Sequence, residues 1–212
     1  MKTSIAAKVL WGAGAIALPL LALAESHIQT GAATAAPGAT AHVDFSVVIP
    51  KILYLRVGTG SSYTTGALTA VNTIDLITFS PAAGTVGNGI PVAGAGGDLA
   101  GGIETAAIVS NSGNVTLNAT ATGLLSDGVG DTIPFTQITT AASTLTSATA
   151  LPAPVLTNGV SANVVLVAPA SKIIIEDAKW TYSYANAATV PGGTYGGVNV
   201  NNSRVTYTAT MP

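Results

Sequence analysis

Cysteine is absent from the 212-residue chain, so neither a disulfide framework nor a thiolate metal site is available to it. Charge is scarce as well. Asp, Glu, Lys and Arg make up 8% of the chain, about a third of the ~25% usual in soluble domains. Seven Lys and Arg are scattered along it and the pI is near 5.5, which excludes a basic nucleic-acid binder. Two histidines and nine acids leave a thin inventory for catalysis, and aromatics contribute only 5%. The chain is nonetheless apolar: 48% of it is hydrophobic and the mean hydropathy is +0.54, the opposite of a disordered composition.

The longest apolar run opens the sequence. Lys2 and Lys8 precede an apolar stretch from Val9 that ends in Ala22-Leu23-Ala24, and polarity returns at Glu25-Ser26. Charge, apolar core and small-x-small site stand in the order of a secretory signal, so residues 1–24 are expected to be a signal peptide. Sixteen apolar residues are too few to span a bilayer, for which about 20 are needed. Cleavage after Ala24 removes two lysines and no acid, taking the net charge from −2 to −4. The remaining chain is expected outside the inner membrane, touching a membrane only during export.

Residues 25–42 are small, polar and Gly/Ala-rich, with Ile28 the one large aliphatic, and read as a flexible N-terminal leader or donor segment. From 43 to 212 the pattern predicts one all-β domain, an immunoglobulin-like β-sandwich of about eight to ten short strands. Val43, Phe45, Val47 and Ile49 alternate with His42, Asp44, Ser46 and Val48 up to Pro50, and 51–57 resumes with Leu53, Leu55 and Val57 on one face. Further strands are expected over 70–79, 103–109, 114–122, 132–140, 162–167, 171–184 and 198–211. The stretch 80–102 is expected to be a long loop. Ser110-Asn111-Ser112-Gly113 is expected to turn a hairpin between its flanking strands. Val115-Thr116-Leu117-Asn118-Ala119-Thr120 and Val205-Thr206-Tyr207-Thr208-Ala209-Thr210 echo one another as candidate edges of two sheets. No apolar spacing of 3.6 residues persists over three turns, and Thr and Val outnumber the strong helix formers.

No catalytic residue, cofactor site or metal site emerges. His42 and Asp44 stand two apart on one strand face, without a nucleophile elbow to accompany them. Asp127-Gly128-Val129-Gly130-Asp131 has the composition of a cation-binding loop but lacks the ligand count of a calcium site, and reads as a turn. The glycine-rich stretches carry no phosphate-binding pattern. Trp180, Tyr182 and Tyr184 alternate onto one face, which serves a sandwich core or a carbohydrate-stacking surface.

The closing Pro191-Gly192-Gly193-Thr194-Tyr195-Gly196-Gly197, followed by a Val/Thr/Tyr strand, resembles the last strand of bacterial spore-coat-U-like and chaperone–usher pilin subunits. The segment 110–115 is similar in style to the same immunoglobulin-like secreted domains. The resemblance implies an incomplete sandwich, held by a periplasmic chaperone and outer-membrane usher and polymerised outside the cell, with no catalytic residue. The expectation is therefore a non-enzymatic fibre subunit that self-associates into a homopolymer. Ile28, Val43, Phe45 and Val47 are the candidate donor strand, and Val205, Tyr207, Ala209 and Met211 the candidate C-terminal edge strand. The alternative is a secreted binding module for a surface glycan or another adhesion ligand.

Overall fold

The computed structural model describes residues 26–32, 38–58, 68, 70 and 72–212. The expected signal peptide 1–24 lies outside the described residues, as do parts of the leader and residues 59–67. The chain divides into two units at Ile49/Pro50, and the second unit holds every strand among the described residues. These are β1 (Leu53–Val57), β2 (Ile77–Thr78), β3 (Val92–Ala93), β4 (Ala95–Gly96), β5 (Ile103–Ser110) and β6 (Val115–Ala121). They continue with β7 (Leu125–Ser126), β8 (Thr132–Ile133), β9 (Ile138–Ser143), β10 (Val164–Leu166), β11 (Ile174–Tyr184) and β12 (Val205–Thr210). Two single 3-10 turns, Ala83–Thr85 and Phe135–Gln137, are the only helical elements among the described residues.

The fold is all-β. One sheet is built on β5, which pairs β1 and β11 antiparallel, while β11 also takes β3 and β9. The second is β10-β6-β12, again antiparallel. Two-residue ladders β2–β4 and β7–β8 complete the pairing. Alternation explains how the two main sheets meet. Val115, Leu117, Ala119 and Ala121 of β6 are buried in one cluster with Ala106 and Ile108 of β5 and Ala178, Trp180 and Tyr182 of β11. The residues between them on β6 and β12 are Thr and Asn, which tolerate water on a pleated surface.

Aromatic residues fasten the layers together. The Trp180 ring on β11 lies 5.2 Å from that of Tyr207 on β12, and the Tyr182 and Tyr207 hydroxyls bond each other at 2.8 Å. Trp180 Nε1 donates to the Leu151 carbonyl at 2.8 Å, so the indole is buried with its one polar group satisfied.

Several expectations are corrected. Ser110–Gly113 does not turn a hairpin: β5 and β6 belong to different sheets, and the segment carries the chain across the sandwich. Strand alternation around a glycine turn is the same for both geometries; they differ in which distant strands occupy the edges. The two V-T-x-x-A-T runs are neighbours in one sheet, with β6 central, rather than edges of two sheets. Residues 80–102 contain β3, β4 and a 3-10 turn, because β3 pairs β11 and β4 pairs β2, while Asn186 braces the turn ahead of them. Its Oδ1 accepts the Gly87 amide at 2.8 Å and its Nδ2 donates to the Thr85 carbonyl at 2.8 Å. Among the described residues of 70–79 only Ile77–Thr78 pairs, and 132–140 breaks at Pro134 into β8, a turn and β9. Residues 43–49, with the pattern of a strand, carry no strand assignment, since a strand exists only against a partner edge.

Candidate functional site

Among the described residues of the second unit, one side of the sandwich is covered and the other is not. On the closed side β6 is continued past β10 by Ser161, whose amide donates to the Ala119 carbonyl, and by Gly159, whose carbonyl accepts from Ala121. The Leu151 amide bonds the Asp177 carbonyl on β11, and Leu151 and Leu156 are buried in the core. Asp177 pins this covering loop by accepting the amides of Thr146 and Ser147 at 2.8 and 2.7 Å and both of their hydroxyls.

The opposite side is bounded by the terminal strands β1 and β12, which lie side by side across the two sheets. Lys51 Nζ donates to the Pro212 carbonyl at 2.9 Å, and Ser110 Oγ meets Met211 Sδ at 3.6 Å, tying one end of this seam together. Its lining alternates correctly for a core. Leu53, Leu55 and Val57 of β1 and Val205, Tyr207, Ala209 and Met211 of the C-terminal run all pack against the buried cluster. Yet all seven are only half-buried, whereas the inward residues of β6 are fully so. No described segment of the same unit covers them as 144–161 covers the other side.

The sequence marked the β12 half of this seam and missed the β1 half. Leu53, Leu55 and Val57 were legible as one apolar face; nothing local reveals that their strand ends a sheet beside β12. The candidate donor residues are at the surface: Val43, Phe45, Val47 and Ile49 are 73, 90, 83 and 74% exposed. Four large apolar side chains in period two, all exposed, are costly in water. Ile28 is also exposed, and lies apart from them in a stretch without regular structure.

The remaining candidates resolve into structural roles. Trp180, Tyr182 and Tyr184 are buried, which makes their row core rather than a stacking surface. Asp127 Oδ1 accepts the amides of Val129, Gly130 and Asp131 at 2.9 to 3.0 Å. Those bonds, the Val129 amide foremost, hold the Asp127 carboxyl below its ordinary value and close the loop as a turn on its own side chain. His27, His42 and Asp44 are exposed. Among the described residues no group of His, Asp and Glu is arranged to hold a metal ion, and no helix is long and apolar enough to cross a membrane. Comparison with family models, with curated proteins and with solved structures finds no match for the chain.

Proposed function

We propose that this chain is a structural subunit of a bacterial extracellular fibre, pilus or biofilm matrix, assembled when residues 43–49 of one copy enter the β1–β12 seam of another. The observation that carries this reading is a matched pair of deficiencies. The sandwich has an apolar seam with no covering strand among the described residues, and the chain carries a strand-patterned segment with no strand of its own. Each large side chain buried is worth about 1.5–3 kcal/mol before ordering costs. The outer edges of β1 and β12 would supply the backbone partners that an added strand needs.

Residues 25–42, Ile28 included, then serve as a spacer ahead of the exchanged strand. A net charge of only −4 on the exported chain offers little repulsion between copies. Until assembly, the exposed seam calls for protection, which is the office of a periplasmic chaperone and an outer-membrane usher. The glycan-binding alternative loses its best surface, because its aromatic row is buried.

Negative-stain electron microscopy of the chain from Glu25 onward, with circular dichroism in parallel, tests the reading. Thin uniform fibres are expected from the wild type. Phe45→Asp is expected to remain folded and monomeric, since a charge at that position must be desolvated to enter the seam. Fibres of undiminished length from Phe45→Asp, and from a deletion of 43–49, would remove the donor segment from the account.

A further inference from the structure

Asn111 is the first residue past β5, and its side chain reaches the segment that enters β1. Its Nδ2 donates to the Pro50 carbonyl at 2.9 Å, and its Oδ1 accepts the Ile52 amide at 2.8 Å. The Asn111 backbone amide adds a bond to the Ile52 carbonyl at 3.3 Å. One residue thus continues the β1–β5 pairing past Leu53 and Ser110 and fastens 50–52 to the end of β5. Beside it, the Lys51 bond to the Pro212 carbonyl spans the end of the seam between β1 and β12.

These bonds stand where the chain must reverse if 43–49 is to enter the seam of its own sandwich. A two-residue turn through Pro50-Lys51 needs a positive φ at its first position, and the proline ring fixes φ near about −65°. Such a turn also needs the Ile52 amide on the free edge of β1, to bond the Ile49 carbonyl. Asn111 holds that amide on the opposite edge, toward β5. By strand alternation, Leu53 is the first residue of β1 whose backbone groups face the free edge. A wider turn through 49–52 must give up both Asn111 side-chain bonds and bend Ile49 or Ile52, whose branched side chains favour extended backbone. Preceding a proline, Ile49 is biased against the bend a second time.

We propose that Asn111 and Pro50 form a latch against self-closure, which directs 43–49 to the seam of a second copy instead of its own. The latch rests on the exchange reading above and adds what decides between a polymer and a closed monomer. Nearness alone favours closure, since a strand tethered beside its own seam stands at millimolar effective concentration. Closure must break the Asn111 bonds, whereas exchange leaves 50–52 with all of them. Each Asn111 side-chain bond is worth about fivefold in the ratio of exchange to closure.

Asn111→Ala combined with Pro50→Gly removes the latch and leaves 43–49 and the seam lining unchanged. Chains from Glu25 onward are compared by sizing chromatography, electron microscopy and hydrogen exchange at 43–49. The wild type is expected to polymerise, and the double variant to shift at least about tenfold toward monomer. In that monomer the 43–49 amides should be protected, which a merely damaged subunit would not show, and adding Phe45→Asp should abolish the protection. Undiminished polymer from the double variant, or monomers with 43–49 unprotected, overturns the latch. The exchange reading survives that result if Phe45→Asp alone still blocks wild-type polymer. Should the double variant fail to fold by circular dichroism, Asn111→Asp with Pro50→Gly decides by the same readouts. It keeps the acceptor for Ile52 and loses the donor to Pro50, so a shift of about fivefold is expected, and none overturns the latch. A wild type that forms no polymer, or polymer that Phe45→Asp leaves undiminished, ends the exchange reading and the latch with it.

Discussion

Asp177 is fully buried and ionisable, and the donors around it decide its charge. Burial alone would raise its carboxyl, but the Ser147 amide and the hydroxyl and amide of Thr146 hold it below its ordinary 3.8. A lowered folded value means stability that is present above 3.8 and lost as pH falls through the folded value. The wild-type unfolding midpoint should therefore drop on acidification below about pH 4. Asp177→Ala should lower stability at neutral pH by about 3–5 kcal/mol in urea unfolding, because the Thr146–Ser147 amides lose their common acceptor. Trp180 offers a companion test. Trp180→Phe keeps most of the apolar bulk but orphans the buried Leu151 carbonyl, and should cost about 1–3 kcal/mol.

At the scale of elements, the crossing between β5 and β6 turns on Gly113, which has a φ of +100°. A Cβ there would meet nothing closer than Pro212 Cγ at 4.0 Å, so its substitution tests backbone conformation rather than packing. Gly113→Ala should cost about 1–2 kcal/mol, and Gly113→Val more, with the sheets otherwise intact by circular dichroism. This turn also marks how far a sequence reading reaches. The strands β5, β6, β11 and β12 were legible because alternation is a local property, written in runs such as Val115-Thr116-Leu117 and Trp180-Thr181-Tyr182. Which strand each would pair was not, since β5 meets partners from residues 53–57 and 174–181, far from it along the chain. Short β3 and β4 escaped for a related reason: β3 pairs the end of β11, about ninety residues away, and β4 pairs the two-residue β2. The donor half of the candidate site was legible in period-two spacing, and the β1 half of the acceptor was not.

For the whole molecule, the proposed function turns on whether the β1–β12 side is a finished surface or a vacancy for a strand. The C-terminus makes this testable within one chain. Pro212 lies beside the start of β1, tied by the Lys51 bond to its carbonyl, so a tether from Pro212 begins at one end of the seam. A copy of residues 42–50 appended there through a flexible Gly/Ser linker, with the native 43–49 deleted, presents the strand at millimolar effective concentration. If the seam is a vacancy, this variant should be a monomer whose unfolding midpoint lies well above that of the deletion alone. Its appended Val43, Phe45, Val47 and Ile49 equivalents should become protected, and Phe→Asp in the appended copy should cancel the gain. Sizing chromatography and thermal unfolding read both quantities. A midpoint unchanged by the added strand would mean that β1 and β12 are ordinary sheet edges, whose half-buried side chains need no partner, and the fibre reading would then have to find a different surface.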